Sequence, residues 1–272
     1  MSDVVTLILR TPIDRRLQAD AITPDRVAAL SSRDIAALPV WFGRTRAALG
    51  DLFEVNGERG ADLRVEGDLT RVDRLGAGMT GGRLTIEGDI GDGIGTGMAG
   101  GSIEVHGRAG DDAGSAMTGG KIRIAGDAGD RLAGAMPGGR GMAGGEVLVG
   151  GNAGHEVAAS CRRGLVVVAG DVGDGAARQM IAGSLLVFGR AGVGTGALLK
   201  RGTVVSVGGL SIPETFRYAC TYRPPHLRMT LVHLNRQYGW PLNPQVAGGR
   251  YRRYCGDLVD PGKGEILVWE SP

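Results

Sequence analysis

Between Leu63 and about Leu210, apolar and polar residues alternate in short bursts that return at a fixed interval. Leu84 and Ile86 share one face of such a burst, and Thr85 and Glu87 share the other. Ile103/Val105, Ile122/Ile124, Val147/Val149, Val166/Val168 and Leu185/Val187 repeat the pattern. Alternation with period two marks a strand with one buried face. The bursts begin at Arg83, Ser102 and Lys121, 19 residues apart. After a six-residue insertion, read here as Arg140 to Gly145, they resume at Glu146, Leu165 and Ser184 and fade after Thr203. A slightly longer copy opens near Leu63.

A glycine follows every burst (Gly88, Gly107, Gly126, Gly151, Gly170, Gly189), and another comes three residues later. Glycines at fixed offsets mark corners where the backbone needs positive φ or close approach. The repeat is too short for a strand plus a crossover helix. Each repeat is therefore a coil of short strands and corners, stacked on the next as parallel β about 4.8 Å away. The predicted fold is all-β, a single-stranded right-handed parallel β-helix of 19-residue coils with N- and C-terminal caps. Hexapeptide helices need multiples of six, calcium-binding β-rolls need a nonapeptide with aspartate, and collagen needs glycine at every third position; none fits.

The flanks read differently. Val4 to Leu9 is a strand, Thr23-Pro24-Asp25 starts a helix with a capping hydroxyl, and Ser32-Arg33-Asp34 starts another. Leu49 to Val55 reads as a strand running into an Asn56-Gly57 turn. Residues 1–60 are expected to cap the open end of the repeats in 61–210, because a bare end coil is a sheet edge that recruits other strands. In 211–272, a C-terminal cap and partner-contact tail, Phe216 to Tyr222 and Met229 to Leu234 read as strand fragments. Pro224, Pro225, Pro241 and Pro244 argue against a long helix, and Glu265 to Trp269 is a last strand.

Composition narrows the chemistry. Fifty glycines and four phenylalanines in 272 residues leave too few aromatics for an ordinary α/β core, while 42% hydrophobic residues suffice for a long narrow one. A net charge of +2 gives no strong field for nucleic acid or an acidic membrane surface. Cys161, Cys220 and Cys255 form no Cys-x-x-Cys pair, which fits a reducing compartment. The chain shows no leader pattern and no apolar run of about 18 residues, so a cytoplasmic location without membrane insertion is expected.

No catalytic pattern is present. The four histidines make no His-x-x-x-His pair, and there is no Gly-x-Ser-x-Gly elbow or phosphate-binding loop. Met79, Met98, Met117 and Met136, continued by Cys161, Met180 and Leu199, stack at one repeat position. Thioethers in a column offer a soft-metal path or a core ladder, and the leucine favours the ladder. Asp92, Asp111, Asp130, His155 and Asp174 form a second column, readable as a cation site or as turn residues bonding their own backbone. Arg250, Arg252 and Arg253 among tyrosines offer a weak nucleic-acid reading. Arg162-Arg163 and Lys200-Arg201 fall at one repeat position two coils apart, roughly 10 Å. They make a small basic patch, either a solvated corner or a contact for an acidic partner or an anionic ligand tail.

Several motifs together resemble the C subunit of formylmethanofuran dehydrogenase. These are Gly50-Asp-Leu-Phe-Glu-Val55, the glycine-spaced repeats ending in Met-x-Gly-Gly, Lys200-Arg-Gly-Thr203, Tyr254-Cys-Gly-Asp257 and Gly262-Lys-Gly-Glu-Ile266. The repeat alone is also similar to the C-terminal β-helix of the glutamate synthase large subunit. The Arg-, Ala- and Gly-rich make-up resembles a bacterial version, as in the formyltransferase/hydrolase complex of methylotrophs. The resemblance implies a non-catalytic scaffold in a hetero-oligomer that moves a formyl group from formyl-tetrahydromethanopterin to a methanofuran-like carrier and hydrolyses it to formate. It implies no cofactor or metal on this chain, a pterin, a carrier and a metal held by other subunits, and a polyglutamate carrier tail that Arg162, Arg163, Lys200 and Arg201 would suit. A subunit of a Mo/W formylmethanofuran dehydrogenase, a glutamate-synthase-like spacer and a carbohydrate-binding β-helix are the alternatives. The last lacks its usual aromatic stripes, since Phe188 is the only aromatic residue from Leu63 to Leu210.

Overall fold

The computed structural model describes residues 4–241, 243–259 and 262–271. The N-terminal part contains β1 (Val4–Leu9), β2 (Leu17–Gln18), α1 (Pro24–Val27), α2 (Ser32–Ala36), β3 (Pro39–Phe42), β4 (Thr45–Ala48), α3 (Leu49–Leu52) and β5 (Phe53–Asn56). The repeats supply β6 (Asp62–Glu66), β7 (Val72–Asp73), β8 (Arg83–Glu87), β9 (Ser102–Val105), β10 (Lys121–Ile124), β11 (Glu146–Val149), β12 (Leu165–Val168), β13 (Ser184–Val187) and β14 (Thr203–Ser206). The tail holds β15 (Arg217–Tyr222), α4 (Pro225–Tyr238), α5 (Pro244–Ala247), β16 (Arg250–Gly256) and β17 (Gly264–Glu270).

The repeat strands pair in parallel with no slip of register. Leu63 lies beside Leu84, followed by Ile103, Ile122, Val147, Val166, Leu185 and Val204. A second parallel contact recurs just past each strand, from Leu69 through Ile90, Ala109, Ala128, Ala153, Val172 and Ala191 to Leu210. The fold is thus predominantly β, built on one large, mostly parallel sheet that does not close into a barrel. Both ends of the stack continue that sheet. β1 lies parallel to β6 and antiparallel to β5. At the other end β17 adds parallel to β14, then β16 and β15 follow antiparallel. A small second sheet, β4-β3-β2-β7, joins the N-terminal segment to the first repeat. The residues that alternation assigns to one face, Leu84 and Ile86 through Leu185 and Val187, form one buried core continuous from Val5 to Val268.

Stacking of the corners rests on side chains. The Oδ1 of Asp73 accepts the amide N–H of Asp92, 3.0 Å away, and Asp92 in turn accepts that of Asp111. The ladder continues from Asp111 to Asp130, Asp130 to His155, His155 Nδ1 to Asp174 and Asp174 to Val193. A parallel ladder links Asp89 to Arg108, Asp127 to Asn152, Asn152 to Asp171 and Asp171 to Arg190. Both ladders bond the next repeat; for the column from Asp92 to Asp174 this replaces the expected bond to its own turn. Because His155 Nδ1 accepts, its ring proton sits on Nε2. A Cβ at Gly110 would run into the Asp92 carboxylate, so glycine there is required by close approach.

Other expectations change as well. The first half of Leu49 to Val55 is a helical turn, α3, with Asp51 accepting the Ala48 N–H at 3.0 Å; the strand starts only at Phe53. Thr23 stands at an N-cap position, but its hydroxyl makes no cap bond. The tail contains a 14-residue helix that the prolines were expected to prevent. Pro224 is its N-cap and Pro225 its first residue, where a missing N–H costs nothing. Pro241 and Pro244 lie beyond Gly239, the left-handed C-cap.

The insertion is phased differently too. The Met142 N–H bonds Ala133 O, as Met117 N–H bonds Gly114 O. Residues 136–141 are therefore the looped-out segment. Met142, fully buried, takes the column place expected for Met136, and the thioether column lies in the core. α4 explains a further departure from alternation. The outward positions Thr85, Glu104 and Arg123 are wet, whereas Leu148, Val167, Leu186 and Val205 are buried beneath Leu227, Leu231 and Leu234 of α4. Each such side chain contributes roughly 1.5–3 kcal/mol of transfer free energy. Glu146 anchors the helix by accepting the Tyr238 hydroxyl and lying 3.4 Å from His233.

Two substitutions on opposite faces test this layering. Ile124→Asp and Val167→Asp are both expected to unfold the chain or cost several kcal/mol, since each buries an unpaired carboxylate. Arg123→Ser, on the uncovered outer face, should change stability by no more than about 0.5 kcal/mol. Urea midpoints of the three variants measure this, and a tolerated Val167→Asp would mean that α4 does not cover the sheet.

Candidate functional site

Among the described residues no group of three His, Cys, Asp or Glu side chains is placed to hold a metal ion. The aspartate column has its Oδ1 atoms engaged by amides. The Cys161 thiol is buried, and burial pushes its pKa up to about 11, which keeps it protonated and a poor nucleophile. No helix of the described residues is long and apolar enough to cross a membrane.

The basic corner is the strongest feature that the sequence singles out. Backbone bonds from Arg162 N–H to Met142 O, Ile181 N–H to Cys161 O and Lys200 N–H to Met180 O put these residues at equivalent places in successive coils. Arg162 and Lys200 line one open cavity of about 340 Å³ together with Ser160, Gln179 and Arg140. Arg163 and Arg201, next along the chain, are exposed but do not line it. Arg140 was not among the expected site residues. It belongs to the looped-out segment 136–141, and the signal that could have found it is the break in the 19-residue period. Two guanidinium groups and an ammonium around neutral hydrogen-bonding side chains suit a multivalent carboxylate or another extended anion, held by weak, salt-screened contacts.

Asp257 ties the tail to this corner. Its N–H donates to Leu199 O at 3.2 Å, continuing the bond series of the coils. Its buried carboxylate accepts the N–H groups of Leu198 at 2.8 Å and Val259 at 2.9 Å. Burial alone would raise its pKa, but the amide bonds overcome this and hold it below the usual carboxylate range.

A second cavity, about 950 Å³, lies on the outer side of α4 and is lined by Arg223, Arg228 and Arg236. It went unnoticed in the sequence, although residues 217–256 contain seven arginines and neither Asp nor Glu.

The geometry defines a repeat-built, parallel-stacked β protein whose tail folds back over its own sheet. No model of a known protein family matches the chain. Over 96 residues it is 40% identical to the C subunit of molybdenum-containing formylmethanofuran dehydrogenase 1 of Methanosarcina barkeri, covering 34% of this chain and 32% of that protein. Over 86 residues it is 36% identical to the C subunit of the formyltransferase/hydrolase complex Fhc of Methylorubrum extorquens, covering 32% of each. These alignments thus span about a third of the curated relatives' length. A chain in the crystal structure of the formyltransferase/hydrolase complex FhcABCD from Methylorubrum extorquens, in complex with methylofuran, matches over 98% of this chain and 100% of its own, with a TM-score of 0.90 and 36% identity. The chain belongs to the family of C subunits of formylmethanofuran dehydrogenases and formyltransferase/hydrolase complexes.

Asp257→Ala is expected to lower stability by about 1–3 kcal/mol, because it strands two amides. The folded pKa is depressed, so the carboxylate's contribution is fully present above the unfolded value, about 4. It is lost as pH falls through the lower folded value. Unfolding midpoints of wild type and variant should converge in acid; a constant difference down to about pH 2 would refute the assignment.

Proposed function

We propose that the chain is a non-catalytic structural subunit of a cytoplasmic hetero-oligomer. The complex transfers a formyl group from formyl-tetrahydromethanopterin to a methanofuran-like carrier and hydrolyses the product to formate, with the chemistry on the other subunits. The observation that carries this reading is the end-to-end likeness, at 36% identity, to a chain of the FhcABCD complex with methylofuran. On the same reading, residues 61–210 wind as a single-stranded right-handed parallel β-helix, capped by 1–60 and 211–272. The two parallel contacts per repeat and the sheet-continuing strands β1 and β17 support this. A second reading, a subunit of a molybdenum or tungsten formylmethanofuran dehydrogenase, is favoured by the 40% identical stretch in the Methanosarcina protein.

Purification of the native assembly tests both. Formyltransferase and hydrolase activity in a complex free of molybdenum and tungsten supports the first, and either metal in stoichiometric amount supports the second. Isolation of the chain from its host with no other subunit would defeat both. The chain purified alone should show neither activity, and measurable turnover by it would overturn its non-catalytic role.

On this reading the basic corner guides the anionic tail of the carrier. Each exposed contact is worth up to about 1 kcal/mol, so several are needed to tether a tail while its head group moves. Replacing Arg162, Arg163, Lys200 and Arg201 by Ala should leave the complex assembled while its apparent KM for the carrier rises and loses salt sensitivity. A complex that falls apart would assign the corner to subunit docking, and unchanged kinetics would leave it a solvated corner.

A further inference from the structure

α4 has two faces. Leu227, Leu231 and Leu234 are buried against the sheet. On the opposite side Met229 is 73% exposed, with Val232 one turn further on. Pro225, Met229 and Val232 contribute an apolar floor to the cavity of about 950 Å³ between α4 and the end of α5, and Arg223, Arg228 and Arg236 stand around it. None of the three arginines meets a carboxylate among the described residues. Elsewhere in the same acid-free stretch, Arg250 and Arg253 reach Glu270 and Glu265 of β17. The whole chain is nearly neutral, so this charge is local to the groove and not a property of the surface at large.

Resting on the reading of the chain as a subunit of a larger assembly, we propose that this groove docks an acidic amphipathic helix of a partner subunit. Its apolar side chains, spaced three and four residues apart, would enter over Met229 and Val232, and its carboxylates would pair with Arg223, Arg228 and Arg236. A helix fits better than a strand because α4 offers no open backbone edge. Its N–H and C=O groups are paired internally, so an extended segment would bury its own amides unpaired. A flexible methionine at the centre of the floor adapts to the incoming side chains, and arginine forks give bidentate pairing with carboxylates. Nucleic acid fits less well, since the groove presents no Phe, Tyr or Trp ring and only the single imidazole of His233 for a base to stack on.

The test uses the complex purified with its partner subunits. Combined Arg223→Glu, Arg228→Glu and Arg236→Glu should leave the chain folded, because all three side chains are exposed. It should weaken assembly by about 30-fold or more, with the wild-type affinity falling as salt rises. As a check independent of the folding of that variant, a photo-crosslinking amino acid in place of Met229 should join one partner segment. That segment should be helical, with Asp or Glu flanking apolar residues at helical spacing. Assembly unchanged by the charge reversal, or a cross-link to a basic or neutral segment, to nucleic acid or to nothing, overturns the proposal. If the wild-type complex assembles normally and only these results fail, the groove assignment falls while the subunit reading stands. If the wild-type chain has no partner subunits, both fall.

Discussion

A stack of short parallel strands leaves its corners with amide N–H groups that no strand ladder reaches, and a buried amide without an acceptor is costly. In this protein an Asp, Asn or His side chain of one coil accepts the corner N–H of the next, at 2.7–3.0 Å. The remaining features follow from that bond. The side chain must be short enough to lie along the corner, and the residue facing it must be glycine. Successive coils must stay in phase to the residue. Extra length can enter only as a loop that leaves and returns between two fixed positions, as 136–141 does between Ala133 and Met142.

How much of this was legible depends on whether the signal is periodic. The inward faces of the strands, the thioether column outside the broken repeat and the final strand follow from alternation and spacing alone. The partner of the corner aspartates does not, because an acceptor that bonds its own turn and one that bonds the next coil occupy the same place in the sequence. The phase of the insertion is equally ambiguous, since Met136 and Met142 stand in similar Met-x-Gly-Gly and Met-Ala-Gly-Gly contexts and only the hydrogen bond to Ala133 separates them. α4 was hidden by counting prolines without regard to position. A clearer sign was present in the outward strand positions, which change from Thr85, Glu104 and Arg123 to Leu148, Val167, Leu186 and Val205. A strand that turns apolar on both faces needs a cover, and the amphipathic stretch from Leu227 to Leu234 supplies it.

The same division runs through the candidate sites. The periodic chain produces ordered rows of side chains whose polar atoms are largely engaged in holding the stack together. The two candidate sites described above lie where the period is broken: the loop at Arg140, which adds to a row of corner residues around a cavity, and the tail, whose arginines border a groove. A repeat fold of this kind gains specificity by interrupting its repeat, because an uninterrupted repeat presents the same surface at every turn of the stack.

The strand that covers the open edge of β14, β17, is encoded about 60 residues after it. On a ribosome the N-terminal coils can stack as they emerge, each on the one before. The outward Leu148, Val167, Leu186 and Val205 are already exposed by then, and neither α4 nor β17 has been synthesised. For that interval the nascent chain carries a greasy patch beside an open strand edge, the combination that invites aggregation. The hazard is confined to the late coils, since the early ones are polar outside. Cover for that patch and edge comes only with α4 and β17, within residues 225–270.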